Sequence, residues 1–132
     1  MMSNKIFPLA VVAAAVMVFT AAKEKDGAIT LQGDTVVVNT TTLARGVIGY
    51  QDATPVKIYI HHDVVQRVEA LPCQETPKFF QAACRKVLPQ WQGLSVDAAL
   101  EQPIDGRTGA TLSSDALIKN VRKGLDRYRS ER

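Results

Sequence analysis

Two pairs of short apolar runs, each joined by a tight polar turn, constrain the fold of this chain more than any other feature. Residues 28–31 and 35–40 flank a Gly-Asp turn, and residues 56–60 and 64–71 flank a His-His-Asp turn. Side chains in these runs alternate as they do in strands with one buried face, and turns this short join antiparallel neighbours. The sequence therefore predicts two β-hairpins in a small antiparallel sheet.

Helical spacing replaces this alternation in the second half of the chain. Thr76 and Pro77 have the residue types of a helix start, and apolar residues recur every three or four positions until Pro89 ends the helix. A short segment at 96–100 and a longer helix that starts just after Thr111 follow. Candidate N-caps of this last helix are Ser113, Ser114 and Asp115. Strands followed by helices predict the α+β class, a small antiparallel sheet with flanking helices.

The N-terminal residues 1–22 have the order of an export signal. Lys5 precedes an apolar run that ends in small residues, and a charged segment begins at Lys23. The pattern predicts cleavage after Ala22 or, as the alternative, a retained membrane anchor, although the run is slightly short for a membrane span. Either outcome predicts an exported protein that is periplasmic or associated with the extracytoplasmic side of a membrane.

The charge balance argues against one class of partner. With 16 Lys and Arg against 13 Asp and Glu, the net charge is +3, which is too small to indicate nucleic-acid binding. The 132 residues suffice for one modest domain. Basic residues concentrate near the C-terminus, where they predict a solvated helix face or, alternatively, a contact with anionic lipid or an acidic redox partner. These are Lys119, Arg122, Lys123, Arg127, Arg129 and Arg132.

Several residues that often carry chemistry have simpler interpretations in this chain. Cys73 and Cys84 lack the clustered His and Cys residues of a zinc site, and the sequence leaves a disulfide and two separate buried thiols equally open. His61 and His62 are adjacent, so on a strand they point to opposite faces and cannot chelate one metal. We interpret them as a polar turn. Trp91 is expected to be a core or hinge aromatic rather than a stacking platform.

The segment 105–114 is the strongest candidate for a functional site. It combines a Gly-marked turn, small hydroxyl residues and the start of the last helix. A helix N-terminus offers free backbone N–H groups and a positive dipole end, so a phosphate on or near Thr111 meets donors that already point at it. The Gly-Lys-Ser/Thr ending of a P-loop is missing. The alternative interpretation is a turn and a helix cap without a ligand.

This segment also resembles a family motif. Residues 105–113 read Asp-Gly-Arg-Thr-Gly-Ala-Thr-Leu-Ser, and they resemble the Asp-x-x-Ser/Thr-Gly-Ala-Thr-x-Ser/Thr motif of the FMN-binding domain family. That family includes the C subunit of the sodium-pumping NADH:quinone reductase and the G subunit of the Rnf complex. The resemblance implies that Thr111 carries FMN covalently as a phosphoester, which a dedicated flavin transferase forms from FAD with a divalent metal.

The resemblance gives roles to further residues of the motif and to a second segment. Asp105, Thr108, Gly109 and Ala110 are expected to shape the loop and to be recognised by the transferase, and Ser113 completes the motif. The family also has a His-x-Glu-Thr-Pro-Gly segment against the flavin ring. Its match here has Cys73 in place of the His and Lys78 in place of the Gly. Glu75 and Thr76 match and are therefore candidate ring contacts.

The resemblance implies a flavoprotein that transfers electrons between redox partners, either a partner protein or a membrane complex, and the N-terminal pattern adds export. The two together divide the chain into a signal or anchor at 1–22, N-terminal strands and a connection at 23–45, and an FMN-binding domain at 46–132. We expect a carrier rather than an enzyme that acts alone, since the sequence has no obvious nucleophile–base pair. The alternatives are an exported binding module that holds flavin reversibly or not at all, and a stand-alone flavin reductase.

Overall fold

A computed structural model describes residues 27–49, 52–75 and 77–132 of the chain. The predicted export signal at 1–22 and the predicted ring contact Thr76 lie outside the described residues. Within the described part of the chain, no helix has the length and apolar character needed to cross a membrane.

Four antiparallel strands form one sheet in the order β1-β2-β3-β4. The strands are β1 (Ile29–Gln32), β2 (Thr35–Asn39), β3 (Val56–His61) and β4 (Val64–Ala70). Both predicted hairpins are confirmed, and β2 pairs with β3 to join them. The β3–β4 turn contains His62 and Asp63, whose φ angles of 49° and 67° are positive. Two consecutive positive φ angles match the right-handed twist of a hairpin.

In the part of the chain that the structure describes, three α-helices and one 3₁₀ turn follow the sheet. They are α1 (Pro77–Val87), the 3₁₀ turn (Leu88–Trp91), α2 (Val96–Glu101) and α3 (Thr111–Glu131). The predicted α+β class, a small antiparallel sheet with flanking helices, is confirmed. The α-helical hydrogen bonding of α1 ends at Val87 because Pro89, which has no backbone N–H, is placed in the 3₁₀ turn. Ser95 caps α2, and its Oγ accepts a hydrogen bond from the backbone N–H of Ala98 at 3.2 Å.

The core lies between the sheet and the helices. Ile58, Ile60 and Val38 from the sheet are fully buried with Leu117 and Val121 from α3. Trp91 is also fully buried, which confirms it as a core aromatic. Its Nε1 has no hydrogen-bond partner among the described residues.

Helix α3 packs closely against the sheet at Gly124. A Cβ added there would lie 2.5 Å from Ile58 Cδ1 and 2.9 Å from Thr40 Cγ2, both shorter than normal contact. This position therefore favours glycine, because a Cβ would force the Ile58 and Thr40 side chains to move.

A buried polar network also holds α3 in place. Asn120 on α3 accepts a hydrogen bond from Thr40 Oγ1 at 2.8 Å and donates one to Thr54 Oγ1 at 3.2 Å. Thr40 Oγ1 in turn accepts from the backbone N–H of Val56 at 2.9 Å. All three polar side chains are fully buried. Because buried polar groups require partners, this network fixes the position of the helix that begins at Thr111.

The cysteines, the histidine pair and part of the basic C-terminal run have defined environments in the structure. Both cysteines are free, half-buried thiols, so the disulfide alternative does not occur in the structure. The polar-turn interpretation is correct for His62, which lies in the turn, but not for His61, which is the last residue of β3. In the basic C-terminal run, Arg127, Arg129 and Arg132 form ion pairs with carboxylates. These three residues therefore contribute little unpaired positive charge to the surface.

Candidate functional site

Thr111 is the first residue of α3, and its side chain is exposed. The loop before it turns sharply, because the Ala110 N–H donates to Arg107 O at 3.0 Å and Gly109 has a positive φ of 85°. A positive φ favours glycine, and the missing side chain also leaves space beside the next residues. The local backbone thus places the Thr111 hydroxyl where another molecule can reach it.

The N-cap of α3 differs from the sequence prediction. Ala110 is the N-cap, with φ −135° and ψ 45°, and no side chain in the described residues caps the helix. The candidates Ser113, Ser114 and Asp115 all lie inside the helix, so that assignment is wrong. The physical reason is that the tight Arg107–Ala110 turn starts the helix earlier than the serines suggest. The first-turn N–H groups are left available to an anion at the positive end of the helix dipole.

Ser113 faces inward and contacts the second predicted segment. Its Oγ donates a hydrogen bond to Glu75 Oε1 at 3.1 Å, across 38 positions of sequence. The other carboxylate oxygen, Oε2, accepts from the backbone N–H of Asp52 at 3.3 Å. Glu75 is only 5% exposed, so this carboxylate is a buried junction between the two segments. The structure therefore brings two separately predicted parts of the site together.

The Glu75 carboxylate packs against the Gly49 backbone at a position where a side chain would otherwise lie. A Cβ added at this position would collide with Glu75 Oε1 and lie 3.1 Å from its Cδ. The backbone of Gly49 is held by a hydrogen bond from its N–H to Asp52 O at 2.9 Å. The glycine is thus part of the site because of a close backbone approach, a role that the sequence pattern did not reveal.

A cavity of about 400 Å³ opens beside the Thr111 hydroxyl. Two large apolar side chains at this cavity are partly exposed, Phe79 from α1 at 49% and Leu112 from α3 at 57%. The cavity is within the size range of small-molecule and cofactor sites, which combine apolar walls with a few polar groups. Its lining consists of Phe79, Gly109, Ala110, Thr111, Leu112 and Ser113.

Phe79 and Leu112 were missed as site residues by sequence reasoning. Phe79 and Phe80 are neighbours on a helix, and only Phe80 is buried. Adjacent helical positions differ by about 100° in direction, so two consecutive aromatics cannot both face the same core. This pair was the signal that could have identified Phe79 as an exposed aromatic.

The loop from 105 to 110 is fixed by contacts outside the motif. The Gln90 side chain clamps the backbone of Asp105, donating to its carbonyl oxygen at 2.7 Å and accepting from its N–H at 3.0 Å. Ser114 Oγ accepts from the Arg107 N–H at 2.9 Å. The side chains of Asp105 and Thr108 are exposed, whereas Ala110 is buried. The loop conformation is therefore held from within, which leaves Asp105 and Thr108 accessible.

The thiols near the second segment are not activated. Burial raises the pKa of the Cys84 thiol to about 11, and the nearby Cys73 adds to this rise. Burial is also the largest cause of a raised pKa at Cys73. Since the thiolate is the reactive form, both residues are protonated and unreactive near neutral pH.

Together these features define a class of protein, a small α+β domain that presents a hydroxyl and free amides to an anionic ligand beside an apolar cavity. Residues 49–126 match the family model described as the FMN-binding domain. The match covers more than half of the 132 residues, so the chain belongs to the FMN-binding domain family. The protein is thus a flavin-binding protein with FMN as its cofactor. Comparisons with curated proteins and with solved structures gave no match.

Proposed function

We propose that the protein carries FMN covalently on Thr111 and transfers electrons between redox partners after export. The observation that supports this most directly is the exposed Thr111 hydroxyl at a helix start without a side-chain cap, beside a cavity of about 400 Å³. The residues fit the cofactor, because the helix start offers N–H donors for a phosphate and the cavity offers apolar surface for a ring.

The attachment is a phosphoryl transfer in which Thr111 is the acceptor. Thr111 Oγ1 attacks the phosphorus on the FMN side of FAD, forming the Oγ1–P bond while the phosphoanhydride bond breaks and AMP leaves. The hydroxyl proton passes to a base of the flavin transferase, which also supplies the divalent metal. The exposed Asp105 and Thr108 are accessible for recognition by that transferase.

The residues around the cavity have separate roles in this proposal. The first-turn amides of α3 hold the phosphoester, and Phe79 and Leu112 offer apolar contact to the isoalloxazine ring. Glu75 supports the site through Ser113, and Thr76 remains a predicted ring contact. When bound, FMN supplies one- and two-electron chemistry, so it links two-electron donors to one-electron carriers.

A carrier role agrees with the exposure of the site. Thr111, Leu112 and Phe79 are all exposed, so a cofactor at this position is accessible to a partner protein. Covalent attachment suits an exported protein, because a cofactor that dissociates outside the cytoplasm is not replaced. The export signal, a redox partner or membrane complex, and maturation by a flavin transferase all belong to this proposal.

The test is the intact mass of the full chain after co-expression with an active flavin transferase, followed by peptide mapping. We expect the wild type to gain the mass of one FMN residue within residues 108–119, and Thr111→Ala to gain none. Thr42→Ala is the matched control, because it removes an exposed threonine hydroxyl outside the site. An unmodified wild type, or flavin that stays attached to denatured Thr111→Ala, contradicts the proposal. An unmodified wild type supports a module that holds flavin reversibly or not at all.

A further inference from the structure

Beside the flavin site, the outer side of α1 and the loop before α3 form a basic face. It contains a second cavity, of about 270 Å³, lined by Ala82, Arg85, Lys86 and Arg107. The three cationic side chains are exposed. Exposed like charges that line one cavity repel weakly in water, and together they favour an anionic group at this surface.

No carboxylate in the described residues neutralises this face. Arg85, Lys86 and Arg107 form no ion pair with any described residue, whereas Arg67, Arg129 and other cations elsewhere do. The helix dipole favours Arg85 and Lys86 in the last turn of α1. It does not explain Arg107, which lies in a loop held by Gln90 and Ser114.

The basic face and the flavin site share the same two elements. Ala82 in the basic cavity lies three positions after Phe79 in the flavin cavity, so the two residues are neighbours on one side of α1. Arg107 O accepts a hydrogen bond from the N–H of Ala110, the residue before Thr111. The basic face thus lies on the same helix and the same loop that line the cofactor cavity, although no cationic side chain lines the cavity itself.

We propose that this basic face docks a redox partner protein through an acidic patch around that partner's own cofactor. The inference rests on the proposed electron-transfer function and names the kind of partner that it requires. Redox encounters have small interfaces, and complementary charges at the rim steer two proteins together and raise the association rate. Docking on Arg85, Lys86 and Arg107 brings the partner directly to the Thr111 cavity.

The unpaired basic residues of α3 are less suited to this role and provide a matched control. Lys119, Arg122 and Lys123 are exposed and form no ion pair with the described residues. Lys119 lies eight positions after Thr111, which places it about 12 Å farther along the helix axis at 1.5 Å per residue. The triple variant Lys119→Gln, Arg122→Gln, Lys123→Gln therefore removes the same charge without changing the basic face.

The test uses the flavinylated full chain, reduced with dithionite, and the soluble haem domain of cytochrome b5 as an acidic one-electron acceptor. Stopped-flow rates are compared for the wild type, the α3 control and the triple variant Arg85→Gln, Arg107→Gln, Lys86→Gln. At an ionic strength of about 10 mM we expect the basic-face variant to react about tenfold more slowly, and the control to stay near wild type. The difference should disappear at about 0.5 M salt, where charges are screened.

A second readout measures docking without electron transfer. Cytochrome b5 is titrated into ¹⁵N-labelled protein at low salt, and amide shifts are expected in α1 and the loop 105–110. Equal rates and equal shifts for the wild type and the basic-face variant overturn the inference. The inference is also overturned if the basic-face variant carries little flavin but transfers electrons at the wild-type rate per bound flavin. The basic face would then bind the flavin transferase rather than a redox partner. If the wild type carries no attached flavin, the proposed function is contradicted. The amide shifts in the cytochrome b5 titration then test the docking surface separately.

Discussion

Glu75 joins parts of the candidate site that are far apart in sequence. Its carboxylate receives hydrogen bonds from Ser113 in α3 and from the backbone of Asp52, and Gly49 leaves space for it. A buried carboxylate in this position requires donors on both oxygens, because an unsatisfied buried polar group is costly. Glu75 therefore determines how the loop around residue 49 fits against the start of α3.

Both substitutions at this junction should lower the free energy of unfolding. Glu75→Ala leaves the Asp52 N–H and the Ser113 hydroxyl without this acceptor, so we expect a loss of about 1–3 kcal/mol. Ser113→Ala removes a donor from the buried Glu75 carboxylate, and a hydrogen bond to a charged group contributes about 1.5–3 kcal/mol, so we expect a loss of similar size. Urea unfolding measures both, with the exposed Thr42→Ala as the control. Equal stabilities for Glu75→Ala and Thr42→Ala would show that the junction contributes nothing to folding.

Helix α3 is the element that carries the site, and its placement depends on close contacts with the sheet and with the segments that flank its strands. Gly124 permits a short approach to β2 and β3, while Asn120 binds Thr40 and Thr54 in the core. The helix thereby holds Thr111 at a fixed place relative to the loop that contains Gly49. Packing against the sheet, rather than helix propensity, sets this position.

Gly124→Ala should destabilise the protein although alanine is the better helix former. The added Cβ meets Ile58 Cδ1 and Thr40 Cγ2, and such overpacking costs about 1–3 kcal/mol against a propensity gain of about 1 kcal/mol, so we expect a net loss of up to about 2 kcal/mol. Adding Ile58→Val removes the Cδ1 atom, so the double variant should recover part of the loss. Urea unfolding of the two single variants and the double variant gives the coupling energy. Additive effects would contradict the proposed contact.

At the scale of the whole molecule, local sequence patterns predicted the secondary-structure elements. The long-range contacts between these elements are visible only in the structure. The four strands, α1 and α3 follow from periods of 2 and 3.6 residues, and the turn before Thr111 follows from its glycine, whereas the segment at 96–100 was not assigned to a helix. The clamp of Gln90 on Asp105 and the Asn120 network join residues 15 to 80 positions apart. Contacts between residues so far apart produce no periodic pattern in the sequence. The N-cap of α3 was wrong because the backbone turn, rather than a hydroxyl side chain, starts that helix.

Burial of the Cys84 thiol makes the free energy of unfolding depend on pH in the alkaline range. Burial raises the pKa of Cys84 from about 9 to about 11, so between these values the folded thiol keeps a proton that the unfolded thiol loses. The stabilisation is fully present below about pH 9 and is lost as the pH rises through about 11.

We therefore expect the free energy of unfolding of the wild type to fall by about 1–2 kcal/mol more than that of Cys84→Ala between about pH 9 and about pH 11. Urea unfolding under reducing conditions measures this difference, and Tyr128, whose pKa is raised by burial and by a hydrogen bond with Asp63, contributes equally to both proteins. Parallel pH profiles for the two proteins would mean that Cys84 is solvated in solution, because only a desolvated thiol has a raised pKa.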